Sequence, residues 1–290
     1  MDLNFTDEQI SRLESCTECP RICGANRFER EGYCGSPPVP KLASAGLHDG
    51  EEPPISGFRG SGTIFFTGCN LSCCYCQNYP ISQLHHGREI DLDTLVDTIL
   101  SLQQRGAHNI NFVTPSHASI ALEVVIPAAR NAGLTIPIIY NTSGYDSVEQ
   151  LHSLDGLIDI YMPDIRYQDS KIAATLSDAP NYPEINRQAL IEMHNQVGDL
   201  ETDSSGIAVR GLLVRHLILP GNRVSTSEAL DFIVEKISTN TYVSLMSQYF
   251  PAYEAVDIPG LDRKINTGEW RSAVRAFRES GLNGWIQGVK

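Results

Sequence analysis

Thr63-Ile64-Phe65-Phe66-Thr67-Gly68-Cys69-Asn70-Leu71-Ser72-Cys73-Cys74-Tyr75-Cys76 joins a short apolar run to a loop carrying four thiols. The run over 63–67 has the β-branched and aromatic residues of a strand. In the loop, Cys69, Cys73 and Cys76 stand at a C-x3-C-x2-C spacing, with Tyr75 just before the last. Thiolates are the usual ligands of [4Fe–4S] clusters, which normally take four. Three on one loop leave an iron for a remote ligand or for a bound molecule. A ligand loop directly after a strand also suits a parallel α/β barrel, where functional residues gather at the carboxyl ends of the strands.

Working outward, short apolar runs alternate with amphipathic stretches. Strands are expected over 63–67, 109–113, 136–140, 157–162, 211–219 and 242–246. Helices are expected near 92–105, 118–132, 146–153, 184–198, 225–238 and 268–280. Strands that alternate with helices predict βαβ units and a parallel sheet. Six such units are too few for a closed eight-stranded barrel, so the expected fold is an α/β, partial (β/α)6 barrel. Residues 1–62 differ, being rich in Cys, Pro and Gly with little periodicity. Pro37-Pro38-Val39-Pro40 and Glu51-Glu52-Pro53-Pro54 read as turn or extended chain. The expected organisation is a cysteine-rich N-terminal segment over 1–62, with a possible second metal site, and a barrel over 63–290.

Composition narrows the function classes. The chain has 290 residues, 41% hydrophobic and 20% charged, as in ordinary globular proteins. With 35 acidic against 22 basic residues, the net charge is -13. Such a surface repels phosphate backbones and anionic membranes, so neither nucleic acid nor membrane is an expected partner. No apolar run has the roughly 20 residues of a transmembrane helix, and the N-terminus lacks a signal-peptide pattern. The cytoplasm is the expected compartment. All eight cysteines lie between Cys16 and Cys76. Clustering of this kind reads as metal binding rather than as a disulfide scaffold.

If the barrel forms, its strand ends bring polar groups to one mouth. Strand 2 leads to Thr114-Pro115-Ser116-His117, and strand 3 to Asn141-Thr142-Ser143-Gly144-Tyr145. Strand 4 leads to Pro163-Asp164-Ile165-Arg166-Tyr167. Strand 5 carries Arg215 and His216, and strand 6 leads to Ser247-Gln248-Tyr249. A zwitterionic ligand suits this set: arginine forks a carboxylate, aspartate accepts from an ammonium, and hydroxyls bond a ribose.

The cysteine loop with its tyrosine resembles the signature of the radical S-adenosylmethionine (SAM) enzymes. In that family the open iron chelates the amino and carboxylate groups of SAM, and an electron from the cluster releases a 5′-deoxyadenosyl radical. Cys74-Tyr75-Cys76-Gln77-Asn78, Asn141-Thr142-Ser143-Gly144, Pro163-Asp164-Ile165-Arg166 and Arg215-His216-Leu217-Ile218-Leu219-Pro220-Gly221 resemble landmarks of pyruvate formate-lyase activating enzyme homologues. The resemblance runs over about 16–255. It implies Cys69, Cys73 and Cys76 as cluster ligands, Tyr75 near the adenine, and Ser116, Asn141, Asp164 and Arg215 along the SAM site. Ser143, Arg166 and Gln248 complete the expected cofactor contacts. It further implies flavodoxin or ferredoxin as electron donor and a glycyl radical enzyme as protein substrate. The chain departs from the family at three places. Thr114-Pro115-Ser116-His117 stands where many members have Gly-Gly-Glu, Asn141 replaces an aspartate, and Arg166 replaces a lysine.

Cys16, Cys19, Cys23 and Cys34 form a second set of four thiols. They match a closed structural zinc site and a fully ligated auxiliary [4Fe–4S] cluster equally well, and unmetallated redox thiols are the third reading. Bland roles are expected elsewhere. Cys74 reads as a packed bystander and His85-His86 as a solvated pair. His48, Glu51 and Glu52 read as surface residues, while His117 is balanced between core and site. Three functions then compete: glycyl radical installation on a partner, radical SAM modification of a peptide or small metabolite, and a non-enzymatic iron–sulfur electron carrier or redox sensor.

Overall fold

The computed structural model describes residues 4–287. Among them, nine strands form one sheet: β1 (Leu42–His48), β2 (Ser61–Phe66), β3 (Ile110–Val113), β4 (Ile138–Thr142), β5 (Ile160–Pro163), β6 (Glu201–Thr202), β7 (Ala208–Leu217), β8 (Tyr242–Met246) and β9 (Asn283–Gln287). The helices are α1 (Asp7–Glu14), α2 (Pro53–Ser56), α3 (Tyr79–Ser82), α4 (Leu92–Gln104), α5 (Ser119–Asn131), α6 (Val148–Ser153), α7 (Ser170–Ser177), α8 (Tyr182–Val197), α9 (Thr226–Lys236) and α10 (Thr267–Ser280).

The sheet order is β1-β2-β3-β4-β5-β7-β8-β9, with β6 pairing outside β7. From β2 to β9 every neighbour along this path is parallel, whereas β1 is antiparallel to β2. The path does not close on itself. The six expected strands are present, but the expectation of six parallel strands is one short. β9, which follows α10, adds a seventh. Its sequence, Asn283-Gly284-Trp285-Ile286-Gln287, lacks the apolar run by which the others were recognised.

Strand alternation builds two layers of core. Ile64, Phe66, Ile110, Phe112, Ile138 and Tyr140 point outward and join the main core with the helices. α4 shows how a helix answers that face. The Asp91 side chain accepts from the Thr94 N–H at 2.6 Å to start it, and Leu95, Val96, Ile99 and Leu102 bury one stripe. Ile139, Ile160, Met162 and Leu213 point the other way, into a separate cluster inside the curved sheet. Ile55 of α2 packs into that inner cluster, so the N-terminal segment plugs the interior. The expected division at 62/63 falls inside β2, and β1 from the N-terminal segment extends the same sheet. No helix among the described residues is long and apolar enough to cross a membrane.

Candidate active site at the strand ends

Gly68 turns the chain out of β2 into the cysteine loop. Its φ of +85° favours glycine, and a Cβ there would strike the Cys34 carbonyl. The turn delivers Cys69, Cys73 and Cys76 to the wall of a cavity of about 450 Å³. Tyr75, Asn141, Ser143, Asp164, Arg166, Arg215 and Gln248 line the same cavity. These residues come from β2, β4, β5, β7 and β8 or the loops after them, as the barrel reading requires.

Each of the three thiols has a polar partner. Cys69 Sγ accepts from the Leu71 N–H at 3.4 Å, and Cys76 Sγ lies 3.1 Å from Ser82 Oγ. Cys73 Sγ accepts from Arg166 Nη1 at 3.1 Å and from Ser177 Oγ at 3.0 Å. Burial pushes the Cys69 and Cys76 thiols upward, and the neighbouring Cys73 adds to it. Thiols so raised at Cys69 and Cys76 suit a cationic centre, which turns repulsion between neighbouring thiolates into ligation. Among the described residues no three ligand side chains converge on the position of a single metal ion. A [4Fe–4S] cluster asks for something else, since it spreads its thiolates over separate irons. The donor set fits that group.

Arg166 and Asp164 form the first ion pair of the wall. Arg166 Nε and Nη2 both donate to Asp164 Oδ2, at 3.0 and 2.6 Å. Burial opposes the guanidinium charge, but Asp164 and Cys73 outweigh it and hold the group protonated. Arg215 follows, 3.7 Å from Asp164, with Nη1 3.4 Å from Asn141 Oδ1. Ser143 Oγ is buried with no hydrogen-bond partner in the protein. Tyr75 is fixed by its hydroxyl against Tyr167 and by its ring edge against Tyr249. The expected SAM contacts therefore share one wall, and an unused hydroxyl faces the same space.

Ser116 does not. It sits in a 3-10 turn before α5, fully buried, with its hydroxyl 3.2 Å from Thr142 Oγ1 and its carbonyl accepting from Gln150. That turn swings the side chain behind the wall, which corrects the expected cofactor contact. His117 is likewise buried, its ring edge toward Phe66, and does not line the cavity. Cys74 lies outside the lining too, in the core. His85 is only partly exposed and packs against Gly35, so half of the supposed solvated pair is held by the protein.

Glu51 and Glu52 overturn their expected surface placement, whereas His48 is exposed as expected. Glu52 is 2% exposed and Glu51 lines the cavity; both face Arg215, at 3.6 and 3.8 Å. His48 lines the cavity with its ring half exposed. No periodicity announces them, because they reach the site from across 160 residues of chain. The sequence signal was only an acidic pair set before Pro53-Pro54.

The first cysteine set gathers in the loop after α1. Cys16, Cys19 and Cys34 are buried and Cys23 is exposed. Burial pushes Cys19 up to about 12, and Cys34, Cys16 and Cys23 each add to the shift. A backbone N–H reaches Cys19 from Arg21 and Cys34 from Ser36. The same two-residue step serves Cys69 from Leu71. Arg21 ties the two thiol loops together, donating to the Asn70 carbonyl at 2.7 Å and to the Asp178 carbonyl at 2.5 Å.

No protein-family model matches the chain. An uncharacterized protein of Methanocaldococcus jannaschii is 28% identical over 281 residues, covering 93% of this chain and 76% of that protein. The FeFe-hydrogenase maturase HydG from Carboxydothermus hydrogenoformans is similar with a TM-score of 0.51 at 16% identity, covering 77% of this chain and 52% of its own. A second structure of HydG, a maturase of the [FeFe]-hydrogenase, gives a TM-score of 0.53 at 13% identity, covering 82% and 54%. The chain thus spans about half the length of the solved structures it matches. That likeness shows the fold: an incomplete α/β barrel with a largely parallel sheet.

Proposed function

We propose that the chain is a radical SAM enzyme, an oxidoreductase that abstracts hydrogen from its substrate. The observation that carries this reading is the convergence of a three-thiol loop with Asp164, Arg166 and Arg215 in one cavity. Cys69, Cys73 and Cys76 would hold a [4Fe–4S] cluster, and the charged wall would hold SAM. When bound and supplied with one electron from an outside reductant, these groups would supply reductive cleavage of the SAM sulfonium and, through it, hydrogen-atom abstraction from the substrate. The chain's own part is placement. Arg166 orients the Cys73 thiolate, while Asn141, Ser143, Asp164 and Arg215 offer acceptors and donors for a zwitterion and a ribose. Tyr75 and the buried wall around it exclude water.

The finer reading follows the motif resemblance: a flavodoxin or ferredoxin delivers the electron, and the hydrogen comes from a glycine of a partner enzyme. A second reading, a small metabolite or a peptide side chain, is favoured by Glu51 and Arg215 on the cavity wall, for which a backbone glycine has no use. An electron carrier or redox sensor has no need of such a wall. Part of the same proposal is a metal centre, zinc or a second cluster, at Cys16, Cys19, Cys23 and Cys34, with the cluster favoured because no three ligand side chains among the described residues converge on a single-ion position. It is supported by the mutual influence of the four thiols and their backbone donors.

Anaerobic reconstitution tests the reading. The protein should bind iron and sulfide, and adding SAM should change the electron paramagnetic resonance spectrum of the reduced cluster. A spectrum indifferent to SAM would remove the central argument. For the first cysteine set, Cys16→Ala should lower zinc or iron content while the cluster signal persists; unchanged metal content would overturn that centre.

A further inference from the structure

Charges alternate along the cavity wall. The Cys73 thiol meets Arg166, Arg166 pairs with Asp164, Asp164 faces Arg215 at 3.7 Å, and Arg215 faces Glu52 at 3.6 Å and Glu51 at 3.8 Å. The series ends unbalanced. Asp164 is already bonded twice by Arg166, so one guanidinium stands against two carboxylates, at ion-pair distance from both and hydrogen-bonded to neither. Glu52 Oε1 meets Gln287 Nε2 at 3.4 Å, whereas its Oε2 is buried with no hydrogen-bond partner. Glu51 shares Oε1 with His48 at 2.9 Å, and that half-exposed imidazole is a cation only when protonated. A buried carboxylate without a counter-charge is costly, and proteins rarely keep one without use.

We propose that this end of the cavity wall receives a cationic head group, an alkylammonium or guanidinium, carried by the substrate. The identification of that ligand as the substrate rests on the radical SAM reading above; the binding itself does not. Glu51, on the cavity wall, supplies the accepting carboxylate, and Glu52 behind it adds its field through Arg215. The apolar side chains of Phe65, Val113, Leu217 and Met246 line the same space and suit the alkyl chain that follows the head group. Arg215, which the proposed function gives to SAM, stands between Asp164 and Glu51, so SAM and the head group would take adjoining stretches of the wall.

The test is a titration of the anaerobically reconstituted full chain with butylammonium, butylguanidinium, neutral butyramide and butyrate, at near-neutral pH and fixed ionic strength. The melting temperature is the readout, since a ligand that binds only the folded protein raises it. The two cations should raise it saturably, and butyramide and butyrate should not. Half-saturation should weaken about tenfold or more in Glu51→Gln, the scale of one lost charge-assisted contact. Cys73→Ala, which cannot complete the cluster, should still respond to the cations, separating failure of this proposal from failure of the radical SAM reading. Equal responses to butyramide and butylammonium, or an undiminished response in Glu51→Gln, would overturn it. If Glu51→Gln does not fold, Glu51→Asp replaces it: the charge stays but is drawn back, so weaker binding with the same preference is expected, and unchanged affinity contradicts. Nα-acetyl-lysinamide separates the sources. Binding at least as tight as butylammonium supports a residue of a peptide, and exclusion of it supports a free amine.

Discussion

Arg166 divides one guanidinium among Asp164 and Cys73, a geometry that a lysine ammonium cannot reproduce. Arg166→Lys should keep the charge but lose one charge-assisted hydrogen bond, worth about 1.5–3 kcal/mol, and so weaken SAM binding about ten- to a hundredfold. Equilibrium dialysis of the reconstituted protein measures this; undiminished affinity would show that Arg166 does not set the wall. His216 offers a separate test. Its Nδ1 lies 2.7 Å from the Ile165 carbonyl and its Nε2 3.1 Å from Thr226 Oγ1. Burial lowers its pKa to about 4, against partial support for the charged form from Ile165 and Asp164. The unfolded chain, with a histidine pKa of about 6.5, binds the proton first. The stability it contributes is therefore full above about 6.5 and is lost as pH falls toward about 4, on the order of 3 kcal/mol. Denaturant titrations across that window should show a shallower loss in His216→Gln, and an identical slope would refute the assignment. Asp164, Arg166 and Arg215 were readable from the sequence because each follows or ends an apolar strand. Ser116 was misread because a 3-10 turn, invisible to periodicity, rotates it inward.

Among elements, α10 is held by reciprocal caps. The Glu269 N–H donates to Asn266 Oδ1 at 2.9 Å and the Asn266 N–H to Glu269 Oε2 at 2.8 Å. The same carboxylate accepts from Arg263 and from the Gly221 N–H, and Arg263 leads in lowering its pKa to about 2. Its contribution is present above the ordinary carboxylate pKa of about 4.3 and is lost as pH falls through about 2. Glu269→Ala should cost about 1 kcal/mol near neutral pH, with little further effect once the carboxylate of the parent is protonated. At α2, Ile55 fills the inner cluster and is fully buried. Ile55→Ala should cost about 3 kcal/mol by denaturant unfolding; a loss below about 1 kcal/mol would mean that the plug does not stabilise the barrel. α4, α5, α6, α8, α9 and α10 were legible because one buried face imposes a period, and the central strands as short apolar runs; the short α7 was not. β1 and β9 were not. They lie at the two ends of the sheet path, and glycines and small or polar residues occupy much of their length.

For the molecule as a whole, the N-terminal segment and the barrel form one packed unit. β1 extends the sheet, Ile55 plugs it, Arg21 clasps the cysteine loop, and Glu51 completes the cavity wall with Glu52 facing Arg215 behind it. Sequence reading separated the two parts because composition changes at their junction, whereas packing depends on contacts between residues far apart in the chain. The site was legible where ligand chemistry demands fixed spacing, as in Cys69, Cys73 and Cys76. It was illegible where a lone carboxylate arrives from another element. The decisive measurement is 5′-deoxyadenosine release from SAM by the anaerobically reconstituted, reduced protein beside a Cys73→Ala control. Release by the unaltered protein and none by Cys73→Ala is the expected result. Equal release from both, or no SAM binding by a protein with its cluster complete, would contradict the radical SAM function.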